Sequence, residues 1–169
     1  MSVDVQRVRR ADAAELIAAN RDNTTYHAPW VTAFTDQAGF DAWFSRGVTG
    51  ANVSLLARER GSGALVGVIN LSEIVLGVFR SAYLGYWGYA ATGGRGLMTH
   101  ALRAAVEFAF DELGLHRVEA NVQPDNVRSI ALVRRAGFTK EGLSPGYLFI
   151  DGAWRDHERW ALRAGAPSA

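Results

Sequence analysis

The chain has 169 residues, 49% of them hydrophobic and 21% charged, enough for one domain with a buried core and too apolar for a disordered segment. A formal net charge of +1 supplies no global field for nucleic acid or an anionic membrane. The absence of cysteine excludes disulfides, thiolate metal sites and a cysteine nucleophile.

Val3, Val5 and Val8 predict a short first strand, and Asp12 an N-cap for a helix through Asn20. The polar run NRDNTTYHAPW predicts a loop. Thr35 or Asp36 caps a second helix, with Phe40, Trp43 and Phe44 on one face. ANVSLLARE and ALVGVINLS read as strands joined by the turn RGSG, and SAYLGYWGY as an aromatic-rich third. A helix from Arg95 to Leu113 follows, with an apolar stripe of Met98, Leu102, Ala105, Ala109 and Leu113, and Gly114 ends it. HRVEANV is the next strand. PDN then leads into a helix over Val127 to Ala136, closed by Gly137. FTKEGLSPGYLFI and AWRDHERWAL make a hairpin on the turn Asp151–Gly152, and the tail AGAPSA is expected to fray. Strand–helix–strand in the middle implies a local parallel pairing, and the hairpins imply antiparallel neighbours: a mixed α/β sheet.

His27, His100, His116 and His157 are not paired at metal-ligand spacing, so no metal is expected. The N-terminal stretch lacks the apolar core of a signal peptide, and no apolar run is long enough to span a bilayer. A cytoplasmic protein without membrane partners is the expectation.

Three glycines in TGGRGL (Gly93, Gly94 and Gly96) precede the long helix directly. A strand that turns sharply into a helix leaves the first helical N–H groups unpaired, and with the helix dipole these form an anion site. Glycine permits the turn and a close ligand approach. The stretch is neither a Walker A loop nor a complete dinucleotide fingerprint. On these residues alone, a phosphate cradle and a ligand-free turn stand about equal.

YLGYWGYAATGGRGLMTHAL resembles the acyl-CoA-binding segment of the GNAT superfamily of N-acyltransferases. Gly94, Arg95 and Gly96 fit the second half of its loop motif, and Ala91 stands where Gln or Arg is expected. NVRSIALVRRAGF resembles the family's downstream motif: Asn126, Leu132, Arg135, Gly137 and Phe138 match, with Ser129 in a small-residue slot. YLGYW, GRGLM, LHRVEANVQPDNVRSI, GFTKEG and DGAWRDH together resemble the RimJ/RimL branch, whose members acetylate N-terminal amines of ribosomal proteins. The likeness runs over roughly residues 65 to 162.

This resemblance implies a single acyl-CoA N-acyltransferase domain over residues 1–169. Its fold would be a mixed, mostly antiparallel sheet of about seven strands, with a splayed central pair and about four helices. Acetyl would pass directly from acetyl-CoA to a primary amine, most simply the N-terminal α-amine of a ribosomal protein. Main-chain groups of Leu84, Gly85, Tyr86 and Trp87 would pair with the pantetheine arm. Thr92, Gly93, Gly94, Arg95, Gly96, Leu97 and Met98 would hold the pyrophosphate, and Asn126 and Ser129 would also meet the cosubstrate.

Asn121 stands where several members carry a glutamate base, so it can orient a water but take no proton. Glu73, in the loop before the aromatic strand, is the first candidate base, with Glu119 and Glu141 as others. Val133 replaces a tyrosine acid, which leaves Ser129 as the candidate acid. Tyr26, His27 and Trp30 in a loop, and Tyr147 from the hairpin, would line the acceptor site. The alternatives are a small-molecule amine as acceptor (an antibiotic or aminoacyl nucleotide) and a non-catalytic CoA-binding module. No direct nucleic-acid contact is implied, and an exposed strand edge would permit a homodimer.

Overall fold

A computed structural model of the chain describes residues 3–49 and 51–165. Seven strands form one sheet in the order β1-β2-β3-β4-β5-β7-β6. They are β1 (Val3–Arg7), β2 (Val53–Glu59), β3 (Leu65–Val75), β4 (Ser81–Gly88), β5 (Arg117–Val122), β6 (Thr139–Ile150) and β7 (Ala153–Arg163). The helices are α1 (Ala13–Asp22), α2 (Thr24–His27), α3 (Gln37–Thr49), α4 (Leu97–Asp111) and α5 (Val127–Ala136). Five helices stand where about four were expected, because the predicted loop at NRDNTTYHAPW is partly helical. There α1 runs on to Asp22 and α2 carries Tyr26 and His27. The helix predicted to start at Arg95 starts at Leu97, since Gly94 and Gly96 both take left-handed backbone. The frayed tail was expected over residues 164–169, of which 166–169 lie outside the described residues.

Asp12 stands at the N-terminus of α1 but does not cap it with its side chain. Its carboxylate accepts from the Arg9 N–H at 2.7 Å, because a 3₁₀ turn over Arg10–Asp12 leads into the helix. Asp36 does cap α3, accepting from the Gly39 N–H at 2.7 Å.

Strand periodicity sorts the side chains to two faces. Leu55, Ile69, Leu71, Leu84, Val118, Ala120 and Val122 pack against Leu97, Ala101, Leu102 and Ala105 of α4. Leu56, Val68 and Trp87 point the other way, against Leu16 and Ile17 of α1 and Phe40 of α3.

All strand pairs are antiparallel except β4–β5, which α4 joins as a parallel crossover. That pair is short: Ser81↔Arg117, Ala82↔Val118 and Tyr83↔Glu119, and then the strands part. On its other side β4 stays paired with β3 to Gly67↔Gly88. From Leu84 to Gly88 one edge of β4 therefore has no strand partner, and the expected splay is present.

Candidate active site

A cleft of about 590 Å³ opens along that free edge. Tyr86, Trp87 and Gly88 of β4 form one wall, and Asn126, Arg128, Ser129, Leu132 and Arg135 of α5 another. The glycine turn and the start of α4 close one end, and Tyr26, His27, Trp30 and Val31 close the rest. Two arginines and no carboxylate appear among the described lining residues.

Gly94 and Gly96 have φ of 72° and 76°. A Cβ on either would meet nothing within 4 Å, so both face open space. Gly96 is the N-cap of α4 and brings no side chain to the first-turn N–H groups. Gly93 is constrained differently: a Cβ there would stand 3.0 Å from the Tyr26 hydroxyl. These features fit a phosphate held by main-chain donors. Arg95, expected to add charge there, instead pairs with Glu59 and does not line the cleft. Leu84 and Leu97 are buried in the core, so only their main chain is available to a ligand. Thr92 donates to the Leu65 carbonyl at 2.9 Å, which ties the turn to β3. Met98 reaches the cleft wall.

Asn126 caps α5, its Oδ1 accepting from the Ser129 N–H at 3.2 Å. The Ser129 hydroxyl lies 2.5 Å from the Tyr86 hydroxyl. Burial pushes the Tyr86 phenol up to about 12, and its bond to Ser129 opposes that. Val133 left no tyrosine on α5, but β4 supplies one from across the cleft. Alternation along β4 would have found it, since Leu84 and Tyr86 point to the same side. Tyr86 was expected to contribute only its main chain, and Arg128 was not singled out at all. Its guanidinium lies 5.0 Å from the centroid of the Tyr26 ring and donates to the Tyr26 hydroxyl at 3.1 Å.

His27, expected in a loop, ends the short helix α2. It is 4% exposed, and Nε2 lies 2.8 Å from the Gly88 carbonyl oxygen. A carbonyl only accepts, so Nε2 carries the proton. Nδ1 is shut off from solvent. His27 thus anchors α2 to the end of β4. Trp30 lines the cleft beside it.

Glu73 lies within β3, not in a loop, because a bulge between Ser72 and Val75 prolongs the strand. Its backbone is left-handed, its N–H donates to Asn52, and its exposed side chain is absent from the cleft lining. Glu119 and Glu141 both bind Arg117, at 2.7 Å and 2.5 Å. Tyr147 is also absent from the lining. Its hydroxyl meets that of Tyr83 at 3.3 Å, on the sheet face opposite α4. Asn121 lies on that same face of β5, its Oδ1 buried with no partner among the described residues.

The family model for the acetyltransferase (GNAT) domain matches residues 3–139. The chain belongs to the GNAT acetyltransferase family. The [ribosomal protein uS5]-alanine N-acetyltransferase of Escherichia coli (strain K12) is 46% identical over 98 residues, 58% of this chain and 50% of that protein. RimJ of Mycobacterium smegmatis, solved in complex with CoA-disulfide, superposes with a TM-score of 0.86 at 30% identity, covering 98% of this chain and 85% of that one. A spermidine N(1)-acetyltransferase of Escherichia coli (strain K12) is 32% identical over 69 residues, 41% of this chain and 37% of that protein. The chain spans about half the length of the curated relatives it matches. Among the described residues no helix is long and apolar enough to cross a membrane, and no cluster of His, Cys, Asp or Glu is arranged to hold a metal ion.

Proposed function

We propose that this GNAT protein is an acetyl-CoA-dependent N-acetyltransferase whose acceptor is the N-terminal α-amine of a ribosomal protein. One observation carries the cosubstrate: a carboxylate-free cleft with two arginines joins a glycine-built helix N-terminus to an unpaired strand edge. That combination suits a ligand with a polyanionic head and an extended, amide-bearing arm. The likeness to RimJ and to the uS5-alanine enzyme supports the acceptor.

The main chain of Gly93 to Met98 would hold the pyrophosphate, with Arg128 and Arg135 facing the same anion. The main chain of Leu84 to Trp87 would bind the pantetheine arm and polarise the thioester carbonyl. The amine nitrogen attacks the carbonyl carbon and loses one proton to water, the C–S bond breaks, and the sulfur leaves with the bonding pair. Ser129, backed by the Tyr86 hydroxyl, would give that sulfur a proton. A strong base is unnecessary, because an α-amine has a pKa near 8 and is partly neutral at physiological pH. Holding donor and amine together supplies most of the rate.

The spermidine acetyltransferase match keeps a small amine as the second reading. The test is incubation with acetyl-CoA and synthetic peptides bearing ribosomal-protein N-termini, with mass analysis of the products. Acetyl on the α-amine of one peptide, and none on its N-blocked form, supports the reading. Acetyl found only on polyamines replaces it.

A further inference from the structure

Among the described residues, Asn121 Oδ1 on β5 and Arg159 Nε on β7 are buried without a hydrogen-bond partner, and both lie on the sheet face opposite α4. They are register partners, Asn121↔Arg159, so the side chains stand side by side. One is an acceptor and the other a donor. Leaving either unpaired and buried is costly, which marks them for a ligand that satisfies both. The fold makes room for this arrangement: the Arg159 guanidinium lies 3.0 Å from where a Cβ on Gly142 would be. Asn121 is two residues past the last β4–β5 pair, at the split in the sheet. The hydroxyl contact between Tyr83 and Tyr147 runs from β4 to β6, across β5 and β7 at this level.

We infer that Asn121 and Arg159 are the recognition pair for an α-aminoacyl acceptor, meaning an amine with a carbonyl one carbon away. Asn121 Oδ1 accepts an amine N–H and turns the nitrogen lone pair into the split. Arg159 Nε–H donates to the first peptide carbonyl. The Tyr83–Tyr147 contact parts to admit the chain. Amine and leaving group then sit on opposite faces, since Tyr86 and Ser129 lie on the α4–α5 side. A polyamine or simple alkylamine has no carbonyl for Arg159, so the pair selects peptides over such amines. The inference rests on the proposed acetyl transfer and specifies its acceptor.

The test compares kcat/KM of the full chain for an alanine-initiated tripeptide amide and for sec-butylamine, which lacks the carbonyl. Arg159→Gln is expected to lower the peptide-to-alkylamine ratio by about tenfold or more, chiefly through the peptide KM. The difference in amine pKa cancels when this ratio is compared with that of the unmutated protein. Arg159→Lys, which keeps the charge but not the Nε–H, is expected to lower the ratio too, and it serves if the glutamine variant misfolds. Unchanged acetyl-CoA affinity by calorimetry shows each variant folded. A ratio unchanged in folded variants overturns the inference and leaves acetyl transfer standing. Transfer to neither amine by the unmutated protein overturns both.

Discussion

The Tyr86 and Ser129 hydroxyls, 2.5 Å apart, join β4 to α5 across the cleft. Either removal breaks the same pair. Ser129→Ala and Tyr86→Phe are each expected to lower kcat about tenfold. That is a small loss for an acid, because a thiol of pKa near 8.5 leaves readily unaided. The double variant is expected to be no worse than the more damaged single, as for groups acting as one unit. Stopped-flow or steady-state kcat values decide it, and multiplicative losses would show the two act separately.

Gly94 and Gly96 are left-handed and face open space, so a methyl at either position strains the backbone and enters the space assigned to the ligand. Gly96→Ala is expected to cost about 1–2 kcal/mol in stability and to raise the acetyl-CoA KM severalfold. Gly61, with φ 98° in the β2–β3 turn and nothing within 4 Å, is the control. Gly61→Ala should cost similar stability and leave the KM alone. Equal KM effects at both sites would remove the glycine turn from the binding account.

Much of this was readable locally. The glycine turn announced α4 because turn, helix start and apolar stripe all fall within a few residues. Strand and helix periods marked most of the core. Contacts between distant positions were not readable. Tyr86 and Ser129 are 43 positions apart, and His27 and Gly88 are 61 apart. His27 was assigned to a loop because its neighbours are polar, yet it lies in α2 and tertiary packing buries it against the end of β4. Glu73 was assigned to a loop because bulges leave no periodic trace. Residues such as Arg159 became visible only once β7 was known to pair with β5, which the order of strands along the chain does not give.

Asn20 is 0% exposed and holds three groups at once. Its Oδ1 accepts from Trp87 Nε1 at 3.1 Å and from the Tyr89 hydroxyl at 3.2 Å, and its Nδ2 donates to the Phe34 carbonyl at 2.9 Å. Asn20→Leu leaves buried donors and an acceptor unpaired and is expected to destabilise by about 2–4 kcal/mol. Chemical denaturation measures this. A loss below about 0.5 kcal/mol would mean the network is not maintained in solution.

Hydrogen bonding to Arg117 holds the Glu141 carboxyl below its usual value of 4.5. A depressed folded pKa adds stability that is present above the unfolded value and is lost as pH falls through the folded one. Unfolding midpoints should therefore drop below about pH 4.5, and Glu141→Gln should flatten part of that slope. The pair is partly exposed, so added salt should weaken the effect. An unchanged slope in the variant would contradict the assignment.

The most direct measurement is the pH dependence of CoA thiol release with an alanine-initiated ribosomal-protein peptide. With no carboxylate among the described lining residues of the cleft, the account predicts kcat/KM rising with one slope to a plateau at the amine pKa, near 8. No descending limb should appear below about pH 10, since the Tyr86 phenol is pushed up to about 12. Blocking the peptide N-terminus should abolish release. Failure to release thiol with any amine, despite acetyl-CoA binding, would contradict the account at its centre.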